Sequence, residues 1–270
     1  MTAIRKLWNR TELLLAMNLY CHIPFGRQHS RAPEVIELAK VLKRTPSSVA
    51  MKLNNFTSLD PEERVRGIKG LPGASRLDQK IWDEFHANWE EMAAESELLW
   101  KKIVENQSIP LSLERSVNLI DDKEFFKEII KLPTGPTESI RTQKVRLAQG
   151  FFRRTVLAAY LGKCCISGIP IPELLIASHI VPWALFPEQR TNPCNGLCLS
   201  RLHDAAFDAG LITFDENYRL ILSQKLKNHF PNESLQLNFS FYEGKPFHMP
   251  EKFFPDIKLL SHHREYIFQK

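Results

Sequence analysis

The sequence predicts an α+β protein with a helical N-terminal region, a proline-marked connection, and a C-terminal region mixing strands with short helices. Three observations carry this. Apolar residues recur at three- and four-residue steps through much of residues 1–105. Pro110, Pro133 and Pro136 punctuate residues 106–139, which read as a linker around a short helix at 124–130. Within residues 140–270, the stretch from Cys164 to Phe214 reads as strand, strand, loop, helix, strand, and it carries polar residues unusual in so apolar a run.

The 270 residues are 43% hydrophobic, enough for a core, and no apolar run approaches the ~20 residues of a membrane span. The amphipathic N-terminus lacks a small-residue cleavage site and reads as mature protein. Five cysteines, none in a C-x-x-C pair, suit free thiols in a reducing cytoplasm. The net charge of +5 is unevenly spread: residues 1–60 hold nine Lys/Arg against four Asp/Glu, residues 131–163 hold seven against one, and the remainder is net acidic. Two basic blocks around an acidic middle suit an anionic polymer gripped at two places.

Taken in order, Trp8 to Tyr20 has helical spacing and ends at the Pro24-Phe25-Gly26 break. His22 and His29 have no partner at ligand spacing and are expected at the surface. Pro33 opens a second helix, and Thr45-Pro46 caps and starts a third. This pair is helix-turn-helix-like, and its second helix would offer Ser47, Ser48, Lys52, Asn54 and Asn55 to phosphates and base edges. A plain helical hairpin packing Val49, Leu53 and Phe56 is the alternative. Asp60 to Gly73, with two prolines and three glycines, reads as a loop.

Leu77 to Glu105 reads as one long helix with an apolar stripe and an acidic face, joining the two regions or forming a homodimer. Ile140 to Leu161 is a basic helix in which Arg153 and Arg154 are the expected phosphate contacts. Beyond Phe214, residues 218–223 and 237–239 alternate like strands, and residues 258–268 close the chain as a helix.

The stretch from Cys164 holds Ser167 and Gly168, then Ser178-His179-Ile180 with Pro182 and Trp183, then Asn195-Gly196-Leu197 with Leu199, then His203 and Phe207-Asp208 with Gly210-Leu211-Ile212. In this order and spacing it resembles the HNH endonucleases, the ββα-metal nucleases, and within them the subgroup with an N-G-L … H … F-D-x-G-L-I ending. The resemblance implies a C-terminal ββα-metal nuclease domain, a divalent cation, and double-stranded DNA as partner. It also implies a general base at His179, a loop-fixing or catalytic role for Asn195, and ligands on the short helix between Ser200 and Gly210.

Here the sequence departs from the family pattern. Many relatives place the last His nine residues after the Asn, whereas this chain has His203 at eight and Asp204 at nine. Asp204 and Asp208 share a helix face; His203 points about 100° away. The expectation favours His203 as first ligand and a catalytic residue, with Asp208 second and Asp204 as the alternative. Two carboxylates suit Mg²⁺ or Mn²⁺, while His plus Asp leaves Zn²⁺ or Ni²⁺ open. Ser178 stands where many relatives have an acidic or histidine ligand. The cysteines lack the two C-x-x-C pairs by which many relatives hold structural zinc. The expected function is a DNA endonuclease of restriction or defence type. A DNA-binding protein with an impaired core and an RNA-directed nuclease are the alternatives.

Overall fold

The computed structural model describes residues 6–68, 70–107, 140–183 and 185–270. Most of the linker, residues 108–139 with the helix expected at 124–130, lies outside the described residues. The chain divides into two compact units, with the boundary after Phe151.

The first unit is helical. Its helices are α1 (Arg10–His22), α2 (Pro33–Leu42), α3 (Pro46–Leu59), α4 (Pro61–Val65), α5 (Arg76–Ala87) and α6 (Trp89–Gln107). A capping box starts α1: Asn9 Oδ1 accepts from the Glu12 N–H, and the Glu12 carboxylate accepts from the Asn9 N–H. Helix α1 packs against α2, α3, α5 and α6, which is why Leu13 through Met17 are all fully buried. The Tyr20 ring meets Phe56 and Trp82 edge-on at centroid distances of 5.9 and 6.0 Å. Burial alone would raise the Glu12 carboxyl, but Arg44, bonding both its oxygens, and Lys6 hold it at about 2.

Several local expectations are corrected. The loop after Asp60 begins with α4, because Asp60 Oδ1 accepts from the Glu62 N–H and Pro61 fits the first turn. The long helix is two: Asn88 leaves helical geometry at φ −153°, and its side chain accepts the Glu91 N–H to start α6. His22 is not a surface residue; its ring packs on Phe151 at 4.8 Å. Helix α3 buries Val49, Leu53 and Phe56 as the hairpin alternative requires. Two of its expected DNA contacts point inward. Lys52 Nζ is bonded to both Asp78 oxygens at 2.8 and 2.6 Å, and Asn55 is buried. Ser47 is exposed and Ser48 half-buried.

Helix α7 (Ile140–Ala159) enters the second unit at Phe152. There follow β1 (Leu175–His179), β2 (Gly196–Ser200), α8 (Arg201–Asp208), β3 (Ile212–Phe214), β4 (Leu220–Leu222), α9 (Gln224–Lys227), α10 (Glu233–Asn238) and α11 (Ile257–Tyr266). The run expected as a strand at 237–239 closes α10 instead: Asn232 caps the helix through the Leu235 N–H, which fixes its polar first turn. Strands β1 and β2 are antiparallel, pairing His179 with Gly196 and Leu175 with Ser200. A second antiparallel pair joins β3 and β4.

Two glycines set this unit's close approaches. A Cβ on Gly196 would stand 2.4 Å from Val156 Cγ2 and 3.0 Å from the Phe152 ring, so only glycine lets β2 lie against α7. Gly210, at φ +67°, ends α8 in the left-handed region, and a Cβ there would meet the Ile267 carbonyl oxygen at 2.2 Å. The Gln269 N–H donates to the Gly210 carbonyl, and its side-chain amide donates to Ala209.

Candidate active site

Strand β1 delivers His179 to its C-terminal end, where Pro182 stops further pairing. Opposite it, β2 runs directly into α8 through Ser200, whose hydroxyl caps the helix by accepting the His203 N–H at 3.3 Å. This ββα turn brings Ser178, His179, Asp204 and Asp208 into one cavity of about 550 Å³. Trp183, His263 and Ile267 complete its wall with the apolar residues of β1 and the following turn.

The His179 ring is held on two sides. It stacks on Phe152 at 4.1 Å with planes 6° apart, and its Nε2 lies 2.8 Å from the Arg190 carbonyl oxygen. Burial lowers its pKa; the Arg190 carbonyl and the Asp204 charge oppose that shift. Asn195, fully buried, fixes the loop behind the ring. Its Oδ1 accepts the Val181 N–H at 3.0 Å, and its Nδ2 donates to the Gln189 carbonyl at 3.1 Å.

The carboxylates face the other way electrostatically. Burial raises Asp204, while the Ser178 hydroxyl, Arg201 and His179 pull it back. Burial and the charge of Asp204 both raise Asp208. A cation held between the two carboxylates would offset the cost of ionising both. The Ser178 hydroxyl, 2% exposed, makes no hydrogen bond of normal geometry, although it lies near enough to Asp204 to favour its charged form.

His203 stands elsewhere, which corrects the expected first ligand. It is 1% exposed and does not line the cavity. Its Nδ1 meets Ser200 Oγ at 2.9 Å and Cys164 Sγ at 3.5 Å, and its Nε2 meets the Asn238 carbonyl at 2.8 Å. Both ring nitrogens are engaged inside the fold. Burial would raise the Cys164 thiol, but His203 and Ser167 bring it down to about 6. Among the described residues, none of the five cysteines is in a disulfide. Among the described residues, no group of three or more His, Cys, Asp or Glu side chains is placed to hold a metal. The oxygen donors Asp204, Asp208 and Ser178 suit a hard cation that keeps several waters; they do not suit a tetrahedral nitrogen and sulfur site.

A histidine closing one strand of an antiparallel pair, across from a helix offering two carboxylates, is the decisive arrangement. Residues 164–215 match the HNH endonuclease family. No curated protein matches the chain. The HNH segment contains His179, Asn195, Asp204 and Asp208, and it ties the chain to nucleases acting on nucleic acid. Phe152, His263 and Ile267 lie outside it. No described helix is long and apolar enough to cross a membrane.

The expected phosphate contacts on α7 are also revised. Arg154 is buried, and Arg153 is half-buried with its guanidinium donating to the Leu175 carbonyl at 3.0 Å. That bond steadies the start of β1. Sequence reasoning missed Phe152 and His263 as parts of the HNH surroundings. His263 is 1% exposed, stacks on Phe207 at 3.7 Å, and bridges Thr213 Oγ1 and the Phe207 carbonyl at 2.9 and 3.1 Å. Burial lowers its pKa to about 4, so it is a neutral strut that holds the end of α8. The F-F-R-R run was the available signal for Phe152; nothing local marks His263.

Proposed function

We propose that this protein is a divalent-cation-dependent DNA endonuclease, with His179 as general base and Asp204 and Asp208 as the cation-binding pair. The observation that carries the reading is the His179 contact with the Arg190 carbonyl at 2.8 Å. A carbonyl only accepts, so the ring proton sits on Nε2 and the lone pair stays on Nδ1. A water placed against a phosphodiester in the cavity can give its proton to that nitrogen. Depression of the histidine pKa keeps the ring neutral and ready for this role. Asn195 acts by positioning: it holds the loop that carries the Arg190 carbonyl.

Asp204 and Asp208, with the Ser178 hydroxyl beside them, are the residues that would hold Mg²⁺ or Mn²⁺. When bound, the cation supplies charge stabilisation at the phosphate and the leaving oxygen. A restriction or defence role rests on family analogy alone.

The test is incubation of purified protein with methylated and unmethylated plasmid in Mg²⁺, Mn²⁺, Ni²⁺ or Zn²⁺. Nicking in Mg²⁺ or Mn²⁺ that disappears in His179→Ala supports the reading. One observation favours a second reading, a nucleic-acid-binding protein with an impaired core: among the described residues the cavity offers two carboxylates, with serine at position 178. DNA binding without nicking under any of the four cations would select it.

A further inference from the structure

The candidate base and the carboxylate pair occupy only part of the cavity wall. Apart from Ser178 and His263, the rest is apolar: Ile176, Ala177, Ile180, Pro182, Trp183 and Ile267. Among the described residues no lysine or arginine lines the cavity, although the Arg190 guanidinium stands close to Trp183. The scissile phosphate belongs at the carboxylate end, where a bound cation would offset its charge; the apolar part of the wall would strip a sugar–phosphate of its hydration with no such partner. The volume, about 550 Å³, falls in the range of pockets that take small organic ligands.

Trp183 gives this apolar part a direction. Its ring centroid is 6.4 Å from that of His179, so a group resting on the indole lies beside the candidate base. Arg190 holds this residue: its Nε donates to the Trp183 backbone carbonyl at 3.2 Å, and its guanidinium lies 5.5 Å from the ring centroid. The same residue whose carbonyl orients His179 therefore also holds Trp183. A nucleobase has flat apolar faces that stack well on tryptophan, but a paired duplex hides them between neighbouring bases.

We infer that the cavity receives an unstacked nucleobase against Trp183 beside the scissile phosphate, so that the substrate is DNA carrying an unpaired nucleotide. This rests on the nuclease reading and narrows its substrate. A perfect duplex pays the cost of unstacking before it can react, whereas a mismatch, gap or single strand has paid most of it already.

The experiment compares the full-length protein on one sequence presented as perfect duplex, single-mismatch duplex and single strand, by cleavage and by fluorescence anisotropy. Cleavage of the mismatch and the single strand should exceed that of the duplex by about tenfold or more. Trp183→Phe should keep the preference and Trp183→Ala should remove it. If Trp183→Ala does not fold, Trp183→Leu, which keeps bulk without a π face, takes its place. Equal rates on the three substrates, or a preference untouched by these variants, would overturn the inference while leaving the nuclease reading standing. Failure to cleave any of them would sink the nuclease reading instead. The anisotropy then decides: tighter binding of unpaired DNA that depends on Trp183 supports base stacking, and binding indifferent to Trp183 overturns it.

Discussion

The His179 ring and the Arg190 carbonyl oxygen, eleven residues apart in the chain, are 2.8 Å apart in space. The contact fixes the imidazole tautomer, and most of the chemistry proposed for the cavity depends on it. His179→Ala should lower cleavage by about 10²–10⁴-fold while leaving DNA affinity within a few-fold, because a base acts on water and adds little ground-state binding. Single-turnover rates beside anisotropy titrations check this. Retention of most activity would remove His179 from the mechanism.

The pH dependence follows from the direction of the His179 shift. Burial lowers its pKa below the ordinary value of 6.5, so the ring stays neutral through that value and charges only further down. In the presence of saturating Mg²⁺, the acid limb of the cleavage profile should therefore fall below pH 6.5. A limb centred above 6.5 would assign the base to another group.

His203 and Asp204 should separate by readout. His203→Ala leaves Ser200 and the Asn238 carbonyl without their buried partner and should cost about 1–3 kcal/mol of stability. Its cation dependence should stay unchanged at a temperature where it is folded. Asp204→Asn and Asp208→Asn should lose cleavage without losing stability in cation-free buffer. Their folded pKa values are raised, so the stability linked to each is fully present below its unfolded pKa and lost as pH rises through the folded one. The amide removes that charge, with the larger relief expected at the half-buried Asp204 and little at the exposed Asp208. Thermal melts in chelator beside metal-titrated cleavage test the pair. A His203→Ala protein with normal stability and weakened cation dependence would restore histidine as the ligand.

Lys52 gives a prediction about the first unit. Its ion pair with the fully buried Asp78 should make Lys52→Ala destabilising by about 3 kcal/mol, because the carboxylate loses its charge partner and keeps only the Ser75 N–H. Ser47→Ala should leave the melt unchanged, since the side chain is exposed. If Lys52→Ala weakened DNA binding with no change in denaturant midpoint, its inward placement would not be its role in solution.

Gly196→Ala should be among the costliest small substitutions in the second unit, at about 1–3 kcal/mol. The new methyl would enter the space of Val156 and Phe152, the ring that supports His179. Loss of activity should therefore accompany the drop in melting temperature. An unchanged melt would show that α7 yields more easily than its packing suggests.

Much of this was legible in the sequence, for reasons tied to particular residues. Pro46 behind Thr45, and Ser200 ahead of α8, are local signals that need no tertiary knowledge, and both caps form. Asn88 was missed because a polar residue inside a strong apolar period does not announce that its side chain will start a new helix. The Asp204–Asp208 pair could be read from a spacing of four on one helix face. The fate of His203 could not, since its partners at Asn238 and Cys164 come from distant segments. Lys52 and Arg154 illustrate the same limit. A basic side chain reads as a surface charge until a buried acid or a packed helix claims it.

The chain beyond Tyr266 behaves as an end-stop for α8. Through Gln269 it grips the carbonyls of Ala209 and Gly210, one and two residues past Asp208. Proteolytic trimming after Tyr266 would leave every proposed reacting group in place and still let the carboxylate-bearing helix fray from its far end. A preparation clipped there should show normal mass for all tryptic fragments of the HNH segment yet lose cation affinity. On the nuclease reading, residues 267–270 would matter to competence as much as the groups that react.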